Sequence, residues 1–242
     1  MISVVDWPSP PGVRACSTRR HAQGASRPPF DDFNLATHVG DDPSAVAANR
    51  LRLEQELGLS QGIAWLQQVH GVVVAEAAAA PDCAADAVYS ETPGAVCAVL
   101  TADCLPVLVA RQDGRAVAAI HAGWRGLADG VIEAAIDRFQ VPGVQLQAWL
   151  GAAIGPAVFE VGAEVRRAFV DRAPEAAQAF VPTREGHYRA DLYQLARLRL
   201  RSRGVRAVYG GGACTYSQAA DYFSFRREPR TGRQASLIWI AS

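Results

Sequence analysis

Between residues 63 and 120 the chain breaks into five short apolar runs, at 63–69, 72–75, 95–100, 107–110 and 115–120, parted by Gly, Pro or Asp. Runs of this length bounded by turn formers read as strands, so the middle of the chain is committed to β-structure. Gln112-Asp113-Gly114 marks a hairpin turn between the last two, and the Ala-rich stretch 77–85, with Pro81, reads as a connection. Helical signals flank this centre. Asp42 before Pro43 is an N-cap followed by proline at the first helical position; Val46, Leu53 and Leu57 recur at helical spacing and Gly58 stops the run, which predicts a helix over Pro43–Leu57. Upstream, 13–17 reads as a strand followed by a loop through Asn34.

Downstream, the pattern predicts a helix over 127–139, a strand over 146–150 and a loop at Gly151-Ala152-Ala153-Ile154-Gly155-Pro156. Helical segments broken by Pro174 and Pro182 follow, then a helix capped by Asp191, running through Leu192, Leu195 and Leu198 and ended by Gly204. Strands near 205–209, 222–225 and 235–240 close the chain. No repeat, long linker or charge block divides it, and strands and helices interleave irregularly rather than as βαβ units. This predicts a single α+β domain over residues 1–242.

Composition narrows the chemistry. Half of the residues are hydrophobic, ample for a sizeable core, and 24 basic residues balance 24 acidic ones, so no overall field draws nucleic acid or an anionic membrane. All the basic residues are arginine. Without lysine there is no Schiff-base chemistry and no phosphate loop of the Gly-Lys-Ser/Thr kind. The five cysteines are scattered, with no Cys-x-x-Cys pair, which argues against a disulfide framework or a structural zinc ribbon and favours a reducing cytoplasm. The first residues lack a basic segment followed by an apolar one, and no apolar run approaches the ~20 residues of a membrane span; the expectation is a protein neither exported nor embedded.

Three residues border the apolar runs: His70 in Gln67-Gln68-Val69-His70-Gly71, Cys104 in Thr101-Ala102-Asp103-Cys104-Leu105-Pro106, and His121 in His121-Ala122-Gly123-Trp124-Arg125-Gly126. Two imidazoles and a thiol are ligands that zinc prefers, and three protein ligands with a fourth place open is the pattern of a catalytic site. A second chemistry fits the same residues: Cys104 as a nucleophile activated by His121 or His70, with no metal. Asp103 reads either as an acidic group supporting the site or as a turn residue satisfying backbone amides. Arg50, Arg125, Arg226, Arg227 and Arg233 are candidate anion ligands, Arg125 favoured by its place at a helix start. Phe223 and Phe225 could stack on a base or pack in the core.

Taken together the motifs resemble the YfiH-like family, bacterial proteins labelled polyphenol oxidase or laccase-domain proteins and later understood as purine nucleoside phosphorylases. The resemblance spans nearly the whole chain: Asn34-Leu35, Val39-Gly40-Asp41-Asp42-Pro43, Asn49-Arg50, the three motifs above, Ile154-Gly155-Pro156, Cys214-Thr215-Tyr216, Phe223-Ser224-Phe225-Arg226-Arg227 and Thr231-Gly232-Arg233. Ala157-Val158 departs from it, since relatives often carry cysteines there.

The resemblance implies a layered α/β/β/α fold with mixed sheets and a Zn2+ ion held by His70, Cys104 and His121, which are also the catalytic residues. It implies phosphorolysis of adenosine, inosine, guanosine and methylthioadenosine, with adenosine deamination at the same site. Purine nucleoside and phosphate would meet Arg50, Asn34, Asp103, Arg125, Phe225 and Arg226, with Arg50 at the anion by the family's Asn-Arg motif. A monomer or homodimer in the cytoplasm, without nucleic-acid or membrane partners, completes the expectation. The multi-copper label fits poorly, because one such cysteine and a few histidines cannot furnish several copper sites. Two alternatives remain: a hydrolase acting on cell-wall precursors in the cytoplasm, and a non-catalytic zinc-binding protein.

Overall fold

A computed structural model describes residues 2–79 and 83–242. In chain order the strands are β1 (Ile2–Val4), β2 (Val13–Thr18), β3 (Ile63–Ala64), β4 (Val74–Glu76), β5 (Ala87–Ser90), β6 (Val96–Thr101) and β7 (Leu105–Arg111). They continue with β8 (Val117–Ala122), β9 (Leu146–Leu150), β10 (Glu160–Gly162), β11 (Phe180–Pro182), β12 (His187–Ala190), β13 (Ala207–Gly210) and β14 (Gln234–Ile240). The helices are α1 (Pro43–Leu57), α2 (Trp124–Asp129), α3 (Val131–Asp137), α4 (Ala163–Val170) and α5 (Leu192–Ser202).

Two sheets stack between helices. One has the order β1-β2-β14-β6-β3, the other β13-β9-β7-β8-β5-β4, and both are mixed, with parallel pairs at β3–β6, β13–β9 and β4–β5. A third, small sheet, β10-β12-β11, sits beside α4. The layers follow from side-chain alternation along the strands. Val107 and Val109 of β7 and Ala118 and Ile120 of β8 point to the core under α2–α5, while Leu108, Ala110, Val117 and Ala119 point to a second core shared with Cys97, Val99 and Ile238 of the other sheet. On that sheet's far face Val96, Ala98, Leu100 and Leu237 pack against Leu53 of α1. The order α/β/β/α expected from the family resemblance is therefore the observed one.

The capped helix Pro43–Leu57 forms as expected: the Asp42 carboxylate accepts from Ser44 N, and Gly58 ends it in the left-handed region. Asp191 caps α5 by accepting from Gln194 N. Other expectations need correction. The helix expected over 127–139 starts earlier and is two helices, because Gly130 turns left-handed (φ 105) between them. Pro182 ends β11 of a hairpin rather than breaking a helix. Residues 222–225 form no strand: the Gln234 side chain supplies Phe223 with both backbone hydrogen bonds, standing in for a strand partner. β5 was not foreseen; of the connection expected over 77–85, Ala77–Ala79 form a 3-10 turn and residues 80–82 lie outside the described ones.

Candidate metal centre

The three residues singled out by the motifs come from three separate segments that meet at one end of the stacked sheets. His121 is the fifth residue of β8, 3 % exposed, and stands opposite Pro106 of β7. Cys104 lies just before β7, in the tight turn from β6 where Asp103 takes φ 100. His70 sits on the loop between β3 and β4, in the left-handed region at φ 61. Such backbone angles cost a non-glycine residue about 1–3 kcal/mol and persist only where the surroundings impose them.

Here the surroundings are two carboxylates. The fully buried Asp86 accepts hydrogen bonds from Val69 N (3.2 Å), His70 N (2.9 Å) and Gly71 N (2.6 Å), gathering the His70 loop around one anion, and meets His121 Nδ1 at 2.8 Å. Burial alone would raise the Asp86 pKa; the bonds from His121 and Gly71 and the charge of His121 hold it below the usual carboxylate range. With Nδ1 engaged by Asp86, the Nε2 of His121 is the nitrogen presented to the site, the arrangement that orients metal-binding histidines. Asp103 does the corresponding work for Cys104. Its carboxylate accepts from Thr215 Oγ1 and from Arg226 N, both at 2.6 Å, and its carbonyl accepts from Ile154 N at 2.9 Å.

The ligand atoms of His70, Cys104 and His121 all lie within 4.8 Å of one another, and Cys104 Sγ is 3.8 Å from His70 Nε2. Tetrahedral zinc, with Zn–S ~2.3 Å and Zn–N ~2.0 Å, would separate sulfur and nitrogen by about 3.5 Å. The Cys104–His70 pair is near that spacing, and the group as a whole, spread over as much as 4.8 Å, would draw in around an ion. Gly123 makes the room: a Cβ there would come within 2.8 Å of His70 Cδ2 and 3.0 Å of Cys104 Sγ. Among the described residues this is the one group of three or more such side chains that converges. Burial pushes the Cys104 thiol up, yet the charge of His121 and hydrogen bonds from both imidazoles outweigh it and bring the pKa down to about 6. His121 is raised to about 9 against its burial by the Cys104 charge and the Asp86 bond.

The triad opens into a cleft of about 320 Å³ whose lining includes His38, Phe225, Arg226 and Arg233. Phe225 is 53 % exposed and stacks with Arg233, whose guanidinium carbon lies 5.8 Å from the ring centre. Arg226 lies over Phe159 and donates to the Glu160 carbonyl. Asn34 is fully buried and reaches the cleft only indirectly: its amide oxygen accepts from Ala36 N and Arg233 N, and its nitrogen donates to the Ala36 carbonyl and Asp41. Arg50 donates to the Leu35 carbonyl and stacks on Trp65 at 4.3 Å. Arg125 is exposed, stacks on its neighbour Trp124, and is not part of the cleft lining. Arg227 is spent on the carbonyls of Thr215, Tyr216 and Tyr222. Phe223 is core.

A model of the family described as multi-copper polyphenol oxidoreductase laccase matches residues 14–241. The chain belongs to that family. Laccase-family relatives include a Pseudomonas aeruginosa protein named purine nucleoside phosphorylase, 54 % identical over 97 % of this chain and 96 % of its own length. The Escherichia coli purine nucleoside phosphorylase YfiH is 49 % identical over 98 % of both chains. A Neisseria meningitidis protein of known crystal structure superposes with a TM-score of 0.96 at 47 % identity, covering 100 % of this chain and 99 % of its own. The resemblance to YfiH-like proteins read from the motifs is thus correct.

Sequence reasoning missed Asp86 and His38. Asp86 has no motif around it, and only its place just before an apolar strand could have drawn notice. His38, in the Thr37-His38-Val39-Gly40 stretch, carried no ligand spacing to the other histidines.

Proposed function

We propose that the chain is a zinc-dependent purine nucleoside phosphorylase acting on adenosine, inosine, guanosine and methylthioadenosine, and that the same site deaminates adenosine. The observation that carries this reading is the His70–Cys104–His121 group in a cleft that also presents an exposed aromatic ring and two arginines. The names of the relatives point the same way. Bound by the three ligands, a zinc ion would supply Lewis-acid polarisation and lower the pKa of water, as attack at the purine C6 requires.

The chain's own residues do the rest. Phe225, half-exposed and with Arg233 over its ring, offers an aromatic surface to the base. Arg226, its backbone fixed on Asp103, and Arg50, fixed on Leu35, supply positive charge for an oxyanion beside the anomeric carbon. Phosphorolysis then breaks the glycosidic bond to give free purine and ribose 1-phosphate. The convergence of one ligand group among the described residues supports a single-metal enzyme over a multi-copper one.

A second reading has a specific observation behind it. Asp86, His121 and Cys104 form a chain of carboxylate, imidazole and thiol with the thiol pKa lowered, the arrangement of a cysteine hydrolase, for which cell-wall precursors would be the substrates. Incubating zinc-loaded protein with adenosine, with and without phosphate, separates the two. Adenine, hypoxanthine and ribose 1-phosphate appearing only with phosphate, and inosine with or without it, are expected, and chelation should abolish all of them. Turnover surviving complete metal removal would promote the cysteine hydrolase, and an inert protein holding one equivalent of zinc would leave a binding protein.

A further inference from the structure

The Cys214-Thr215-Tyr216 motif belongs neither to the metal-ligating group nor to the cleft lining, yet its middle residue is fully buried. Thr215 sits where four segments cross. Its N–H donates to the Ala153 carbonyl at 3.0 Å, its carbonyl accepts from Arg227 Nη1 at 2.6 Å, and its hydroxyl donates to Asp103 Oδ1 at 2.6 Å, across 112 residues of chain. The backbone beneath it is anchored by the Tyr193 hydroxyl, which joins Ala153 N at 2.9 Å to the Ala213 carbonyl at 2.5 Å. A β-branched side chain on a fixed backbone has few rotamers, so the Thr215 hydroxyl is aimed at Asp103.

The second oxygen of Asp103 serves the cleft wall. Oδ2 accepts from Arg226 N at 2.6 Å, directly after Phe225. The turn carrying these two residues is tied at its base, where Glu228 N donates to the Ser224 carbonyl and Arg227 N to Ser224 Oγ; the Arg226 amide is its outward tie. With a donor on each oxygen the carboxylate plane is fixed. Asp103 in turn precedes Cys104, takes φ 100, and accepts from Ile154 N through its carbonyl at 2.9 Å. The bridge from Thr215 through Asp103 to Arg226 therefore sets where Phe225 and Arg226 stand relative to Cys104.

We propose that Thr215 is a positioning residue for the nucleoside: acting through Asp103, it holds the Phe225–Arg226 turn in its working place beside the Cys104 thiol. The inference rests on the phosphorylase reading for its ligand. The two carboxylates then divide the labour. Asp86 aims His121 and gathers the His70 loop, and so governs the metal; Asp103, steadied by Thr215, governs the wall that meets the base. Losing the Thr215 hydroxyl leaves the Ile154 bond and every Asp86 bond in place, so the wall loosens while metal affinity is kept.

The test compares Thr215→Val, which drops the hydroxyl at nearly constant shape, with Thr215→Ser, which retains it. In zinc-loaded protein given inosine and phosphate, Thr215→Val should raise the inosine KM about tenfold, the scale of one charge-assisted bond, with kcat within about threefold; Thr215→Ser should restore the KM. Chelator competition should find zinc affinity within about threefold of wild-type in both. Without substrate, hydrogen exchange at the Arg226 amide should quicken about tenfold in Thr215→Val while the amides of β7 are unmoved, a local effect that general destabilisation would not give. An unchanged inosine KM, or a loss of zinc affinity as large as the KM rise, overturns the proposal. So does an Arg226 amide that exchanges at the unprotected rate in wild-type, a result that needs no variant to fold. Wild-type that turns over no nucleoside, with the Arg226 amide still freed in Thr215→Val, removes the phosphorylase reading and keeps the bridge. Inosine phosphorolysis indifferent to Thr215→Val does the reverse.

Discussion

Replacing Asp86 by asparagine changes one atom of the protein and should cost most of its metal affinity. The two carboxylate oxygens are evenly loaded: Oδ1 serves His70 N and His121 Nδ1, Oδ2 serves Val69 N and Gly71 N. An amide has one acceptor oxygen, so whichever way it turns its NH2 opposes two donors in a site with no access to water. Each stranded donor costs about 1–3 kcal/mol, which loosens the His70 loop or forces His121 into the other tautomer, with its proton on Nε2. Either outcome misdirects a ligand, and loss of such supporting bonds typically lowers metal affinity about 10–100-fold. Competition against a chromogenic chelator measures that affinity directly, and thermal unfolding with and without zinc shows whether the remaining fold is intact. Zinc affinity within about twofold of wild-type in a folded Asp86→Asn protein would refute the argument that this carboxylate orients the ligands.

Gly123→Ala should displace His70 and Cys104, since the added Cβ would meet both at 2.8 and 3.0 Å; a large loss of bound metal by elemental analysis, with a near-native circular dichroism spectrum, is expected. In metal-free protein, iodoacetamide alkylation of Cys104 should rise with pH and level off above about 6, because the thiolate already dominates there, whereas zinc should slow it at every pH. Phe225→Ala, at a residue 53 % exposed, should raise the nucleoside KM severalfold with little change in thermal stability. Leu108→Ala, between the two sheets at 0 % exposure, should destabilise the fold by about 2–5 kcal/mol by chemical denaturation.

The elements with local chemical signatures were legible in the sequence: α1 and α5 through their aspartate caps and glycine stops, and the β7–β8 hairpin through Gln112-Asp113-Gly114. The layer order was not legible from periodicity. β7 and β8 are buried on both faces, so they read as continuous apolar runs with no alternation to say which side faces which core. β10 to β12 were missed because a three-stranded sheet with exposed residues has little apolar signal. In the site, His70, Cys104 and His121 could be found because each lies in a short motif with glycine, aspartate or proline beside an apolar run. Asp86 could not, since its role depends on bonds to backbone amides and an imidazole brought near by the fold. The Phe223-Ser224-Phe225 alternation suggested a strand, yet one ring went to the core and the other to the cleft rim.

The place of β14 bears on how the molecule is made. It lies between β2 and β6, and Ser17 bonds to the Ala235 carbonyl across 218 residues of chain. A ribosome therefore delivers both neighbours long before the strand that must separate them, and until then each shows an unpaired edge. Leu237 completes the core beneath α1 while Ile238 completes the core between the sheets, so neither can close early. The thiol and both imidazoles have by then left the exit tunnel, ahead of the Phe225 and Arg233 that finish their cleft. The nascent chain thus presents the three side chains that could hold a metal ion before the cleft around them exists.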